Sequence, residues 1–157
     1  MKENRWKSFV FWIVLCEAVG AFSGWLSMEG MEVYNATAAK PAITPPSWVF
    51  PVVWSILFAL MGISAALVSL MQPSKAKSVG LNLFVAQLIV NFFWPLFFFN
   101  LQAFGFAFIW LILLWLLVAA TILTFYRVNQ TAAWLLVPYL VWLTFAAILN
   151  MLVWIMN

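Results

Sequence analysis

Five apolar runs constrain this chain more than any other feature. They lie at about 8–27, 47–71, 80–99, 103–126 and 131–155, and each is long enough to cross roughly 30 Å of hydrocarbon as a helix. Inside a bilayer every backbone N–H and C=O must be satisfied within the chain, so only helices and closed barrels can span it. These runs are too long for barrel strands and lack their alternation of apolar and polar residues. Composition agrees: 68% of the 157 residues are hydrophobic and 7% are charged, against about 25% charged in a soluble domain. The expected fold is an all-α integral membrane protein, a five-helix bundle forming one domain over residues 1–157. The first loop, 28–46, is long. The later loops are short and make neighbouring helices antiparallel.

Charge sets the expected orientation. Lys2, Arg5 and Lys7, then Lys75 and Lys77, then Arg127 fall on one side of the five spans. The other side has Lys40 with Glu29 and Glu32. Short loops rich in Lys and Arg stay in the cytoplasm, so the N-terminus is expected there, with the C-terminus and first loop outside. The basic balance is thereby an orientation signal, and no nucleic-acid partner is expected. Glu17 interrupts the first run and Leu15 precedes Cys16, so this run reads as a retained helix rather than a signal peptide. With no His, no Asp and a single Cys, the chain offers no Ser-His-Asp triad, His-based zinc site, His-ligated haem or disulfide. No catalytic residue, metal site or obligatory cofactor is expected.

Eleven Trp residues need two explanations. Trp6, Trp25, Trp48, Trp134 and Trp154 fall near span ends and suit an aromatic belt at the lipid interfaces. Trp54, Trp94, Trp115 and Trp142 lie deeper, and Trp12 and Trp110 are intermediate. Trp54, Phe58, Met61 and Ala65 share one helix face by spacing. So do Gln87, Asn91, Trp94 and Phe98 on the third helix, and Pro138, Trp142, Ala146 and Asn150 on the fifth. Indole and amide N–H groups in hydrocarbon need partners, so these faces are expected to turn inward. They converge on the outer half of the bundle. Each could be plain core packing; together they suit an apolar pocket with a few placed polar groups.

Glu17 lies near mid-membrane, where a charge is costly. It reads either as a neutral carboxyl bonded to an amide or carbonyl, or as a proton-relay or ligand-binding group. Gly20 and Gly24 on the same helix permit close helix contact, expected within the bundle. Tyr126 and Arg127 read as interfacial anchors.

The stretch 38–54, AAKPAITPPSWVFPVVW, holds four prolines and two tryptophans. Together with Tyr34 it resembles the first-loop signature of the TspO/MBR family, the tryptophan-rich sensory proteins and mitochondrial translocator proteins. Gln87–Leu88, Asn91, Trp94 and Phe97–Phe98 resemble the family's third-helix motif. Trp134 to Leu136, Pro138–Tyr139, Trp142, Ala146 and Leu149–Asn150 resemble its fifth-helix motif. Val33 departs from it, where Trp is frequent.

The resemblance, read as to a bacterial member, implies a homodimer in the bacterial cytoplasmic membrane. It implies a pocket for tetrapyrroles, protoporphyrin IX or haem, and for hydrophobic drug-like ligands. Its pocket positions fall on Tyr34, Trp54, Phe58, Asn91, Trp94, Trp142 and Ala146, with Asn150 added by its stripe and motif. The lid falls on Lys40, Pro41, Pro45, Pro46 and Trp48, a proline-stiffened loop above the pocket. Sterol binding is not implied, because no Lys or Arg follows Tyr139. Three functions stay open on sequence. One is a porphyrin-binding receptor or sensor, with porphyrin as ligand. The second is a photochemical porphyrin-degrading enzyme that uses Trp. The third is a porphyrin transporter, for which Glu17 is the one intramembrane charge.

Overall fold

The computed structural model describes residues 2–157, with side chains from Arg5 onward. The Lys2 side chain, used above for orientation, lies outside that description. The elements are α1 Lys2–Leu26, α2 Met28–Thr37, α3 Val49–Ser69, α4 Lys75–Pro95, a π-helical turn Leu96–Asn100, α5 Phe104–Val128, α6 Gln130–Leu135 and α7 Val137–Met156. Five spans are long and apolar enough to cross a membrane: α1, α3, α4 with its π turn, α5, and α6 with α7. The five-helix expectation holds.

Local chemistry explains the boundaries. Ser74 caps α4 by accepting from the Lys77 amide at 3.1 Å, and Asn129 caps α6 by accepting from Ala132 at 3.0 Å. Such side-chain oxygens satisfy amides that a helix start leaves orphaned. Pro95 has no N–H to return to the preceding turn. The helix widens there, and the Leu101 amide reaches back five residues to the Leu96 carbonyl at 3.0 Å.

Two expectations need correction. The fifth span is not one helix over 131–155: it breaks at Leu136, and Pro138 sits in the first turn of α7, where its missing N–H costs nothing. The first loop is not loop throughout. Residues 28–37 form α2, and only 38–48 run irregularly. Turns closed by the Thr44 amide on the Pro41 carbonyl (3.1 Å) and the Val49 amide on the Pro46 carbonyl (3.0 Å) carry the chain into α3.

α1 crosses α3 in close contact. A Cβ on Gly62 would stand 2.7 Å from the Ile13 backbone nitrogen, and one on Gly20 would stand 2.5 Å from Cδ2 of Phe58. Gly20 therefore makes the expected contact inside the bundle. Gly24 does not, since a Cβ there meets nothing within 4 Å.

Ser8 and Ser69 share a 2.7 Å hydrogen bond, and the Lys77 ammonium donates to the Ser69 and Met71 carbonyls at 2.8 and 2.7 Å. The start of α1, the end of α3 and the start of α4 thus meet at one end. Arg127, beside the Met71 and Ser74 depression, lies there too. α2, Lys40 and the C-terminal residue Asn157 meet at the other end. The basic residues segregate as the sequence suggests. All five span-end tryptophans are exposed, while Trp12, Trp54, Trp94, Trp110, Trp115 and Trp142 are half-buried.

Candidate functional site

The site begins with α2, which closes one end of the bundle. A Cβ on Gly30 would stand 2.6 Å from the Phe99 carbonyl carbon and 2.7 Å from the Asn100 nitrogen, so α2 rests its backbone directly on the π turn. Asn100 Nδ2 donates to the Leu26 carbonyl at 2.9 Å and ties the turn to the end of α1. Tyr34, only 8% exposed, inserts among Phe98, Phe99 and Phe104 with ring centroids 5.2, 5.2 and 6.2 Å away. Burial pushes its phenol above the ordinary tyrosine pKa. The Lys40 ammonium sits 5.1 Å from the same ring, a cation–π distance. Asn157 then fastens the following segment: its Oδ1 accepts from the Ala39 amide at 3.1 Å and its Nδ2 donates to the Ala39 carbonyl at 2.9 Å.

Below this lid, two polar links join α4 to α7. Asn91 Nδ2 donates to the Tyr139 hydroxyl at 2.6 Å, and that hydroxyl donates to Gln87 Oε1 at 2.8 Å. One turn nearer the lid, Trp94 Nε1 donates to Asn150 Oδ1 at 3.1 Å, and Asn150 Nδ2 donates to the Phe104 carbonyl at 2.8 Å. α3 brings aromatics to the same region. Trp54 lies 5.6 Å from Phe58 and 6.2 Å from Tyr139, and Phe50 lies 5.9 Å from Trp142. α3 packs on α6 at the basic end but makes few contacts with α7, so side chains rather than helix backbones fill the gap between them.

The expected residues divide accordingly. Phe58 belongs to the main core, Trp54, Trp94, Trp142 and Ala146 pack against it, Asn91 is buried on the Tyr139 hydroxyl, and Asn150 is buried against Trp94. Tyr34 belongs to a second cluster with Phe98, Ala107 and Val153, and Trp94 packs against both. Of the lid residues, Pro41 is buried, Lys40 and Pro45 are half-buried, and Pro46 and Trp48 are exposed. Pro138 leaves its stripe: it is exposed, and the inward line of α7 is Tyr139, Leu143, Asn150 and Val153. Glu17 is half-buried among the spans.

Tyr139 and Gly30 were missed as site residues. Tyr139 had a signal, since a phenol in a deep span must find a partner and Gln87 and Asn91 face it. Gly30 had none, because nothing local marks the π turn it rests on.

Two donors at the site stand out. Trp142 Nε1 and Gln87 Nε2 are buried and have no hydrogen-bond partner. A buried donor left unpaired costs roughly 1–3 kcal/mol. Trp110 and Trp115 are satisfied: Trp110 donates to the Val90 carbonyl at 2.7 Å and Trp115 to the Thr144 hydroxyl at 2.9 Å. The site can therefore offer flat ring faces for stacking and N–H groups to an acceptor oxygen. No group of residues able to hold a metal ion occurs among the described residues.

The family model described as the TspO/MBR family matches residues 12–155. The chain belongs to the TspO/MBR family. Its TspO/MBR relatives include the tryptophan-rich protein TspO of Chlorobaculum tepidum, 40% identical over 88% of each chain. The translocator protein of Ovis aries is 38% identical over 89% of this chain and 85% of its own. The tryptophan-rich sensory protein of Cereibacter sphaeroides is 34% identical over 92% and 88%. Family and fold together make this an integral membrane protein.

Proposed function

We propose that this TspO/MBR protein is a membrane receptor or sensor. It takes a tetrapyrrole such as protoporphyrin IX, or a hydrophobic drug-like molecule, between α3, α4 and α7 beneath α2. The observation that carries this reading is the unpaired Trp142 indole N–H, buried on α7 with its ring 5.9 Å from Phe50 of α3, where the two helices make few backbone contacts. A flat apolar ring with carboxylates matches that surface. Its faces stack on indole and phenyl rings, and an oxygen accepts from Trp142. Entry requires Phe50 to part from Trp142 and Trp54 from Phe58. The sensory and translocator names of the relatives point the same way.

With no His in the chain, the ring rather than a central iron is what binds. Titrating protoporphyrin IX and haem into purified protein while following tryptophan fluorescence tests this. Saturable quenching by the metal-free ring, at least as tight as haem and weakened in Trp142→Phe, is expected. Much tighter haem binding with a ligated-iron spectrum overturns it. The same reading puts the N-terminus in the cytoplasm of a bacterial cytoplasmic membrane and pairs two copies as a homodimer. Cysteine labelling from each side and cross-linking check those two points.

A further inference from the structure

A second candidate site lies at the basic end, away from the aromatic one. An open depression of about 400 Å³ is lined by Leu70, Met71, Gln72, Ser74, Arg127 and Val128. It sits where α3 ends, α4 begins and α5 ends. α5 is an apolar 25-residue helix closed by Tyr126 and Arg127, so the depression opens at the depth of lipid headgroups.

Its chemistry is lopsided. Arg127 is exposed on its wall. Lys77 is half-buried at its edge, with its ammonium pinned on the Ser69 and Met71 carbonyls. Those carbonyls carry no compensating charge, so the positive charge stays in place. Glu17, Glu29 and Glu32, the acids whose side chains are described, belong to mid-α1 and to α2 at the opposite end. Ser74 Oγ accepts from the Lys77 amide, which leaves its own O–H free to donate outward. Asn129 Nδ2 approaches Met71 Sδ at 3.8 Å and steadies the far rim. The lining thus offers the Arg127 guanidinium fork, the Ser74 hydroxyl and the Gln72 amide beside an apolar part made of Leu70, Met71 and Val128.

We propose that this depression binds the phosphate of an anionic phospholipid, with Arg127 holding the phosphate oxygens and the apolar wall seating the start of an acyl chain. Arg suits the role because its planar fork meets phosphate with two parallel hydrogen bonds. Basic recesses between spans on the cytoplasmic side are a known setting for such headgroups.

The test places the protein in nanodiscs of phosphatidylcholine with a minor fraction of phosphatidylglycerol. Native mass spectrometry then counts the anionic lipid retained on release. Arg127→Gln should lower retention about tenfold or more, the weight of a charge-assisted hydrogen bond to phosphate. Arg5→Gln, at the same end but outside the depression, should lower it much less. Arg127→Lys, which keeps the charge and serves if the Gln variant does not fold, should fall between. Equal losses in Arg127→Gln and Arg5→Gln, or full retention in Arg127→Lys, overturn the site in favour of diffuse attraction. Displacement of the lipid by millimolar inorganic phosphate overturns the lipid assignment in favour of a free anion.

Discussion

Replacing Gly30 with alanine should loosen the lid and leave the bundle intact. The new Cβ would stand 2.6 Å from the Phe99 carbonyl carbon, while ordinary contact begins at 3.4 Å. α2 must therefore retreat by 3.4 − 2.6 = 0.8 Å. The Asn100 side-chain oxygen it also meets can swing away, but the Phe99 carbonyl carbon and the Asn100 nitrogen are backbone and cannot rotate aside. Overpacking of this kind costs about 1–3 kcal/mol. α2 has ten residues, too few for a helix to persist undocked, and the retreat pulls Tyr34 from its phenyl nest. A loss of about 1–3 kcal/mol raises the undocked population roughly 5–150-fold. Amide hydrogen exchange read by mass spectrometry on the protein in nanodiscs measures this. Peptides from 28–37 should exchange faster by about that factor, with those from α3 and α5 unchanged. The reasoning fails if α2 exchange is unaltered. It also fails if α3 and α5 lose protection in step with α2, because α2 would then not be a separately docked unit.

Tyr139→Phe leaves the Asn91 donor and the Gln87 acceptor unpaired in the core. Interhelical hydrogen bonds in membranes average about 0.6 kcal/mol with a maximum near 1.7, so the two together should cost about 1–3 kcal/mol in detergent-titration unfolding. No measurable loss would show that this network does not hold α4 to α7. Pro45 and Pro46 replaced by Ala should speed ligand release with thermal stability nearly unchanged, since both lie in the irregular lid segment. A collapse in stability with an unaltered off-rate reverses that assignment. The Tyr34 phenol, raised by burial, links lid docking to pH. The fold favours its protonated form, so the contribution is whole below the unfolded value near 10 and is lost as pH rises through the higher folded value. Protease nicking at 38–48 should therefore increase in wild type above that range but not in Tyr34→Phe; identical pH profiles would count against it.

Much of the site was legible in the chain because helix periodicity is local. Once five spans were placed, spacing alone turned Trp54, Phe58, Asn91, Trp94 and Asn150 inward. Span-end position likewise separated the exposed tryptophans from the half-buried ones. Periodicity failed at the prolines. Pro138 ends one helix and starts another, so the fifth-span stripe rotates and Tyr139 rather than Pro138 faces the core. Pro95 opens a π turn, and a wider turn has no signature in apolar spacing. The sequence by itself determined the spans, the two charged ends and the facing of most site residues, because each follows from a rule within one helix. Only tertiary structure decided that residues 28–37 form a helix, that Gly30 and Tyr34 dock it, and that the Trp142 donor goes unpaired. Those outcomes depend on backbone from a different span arriving at the right distance, and no local pattern encodes that distance.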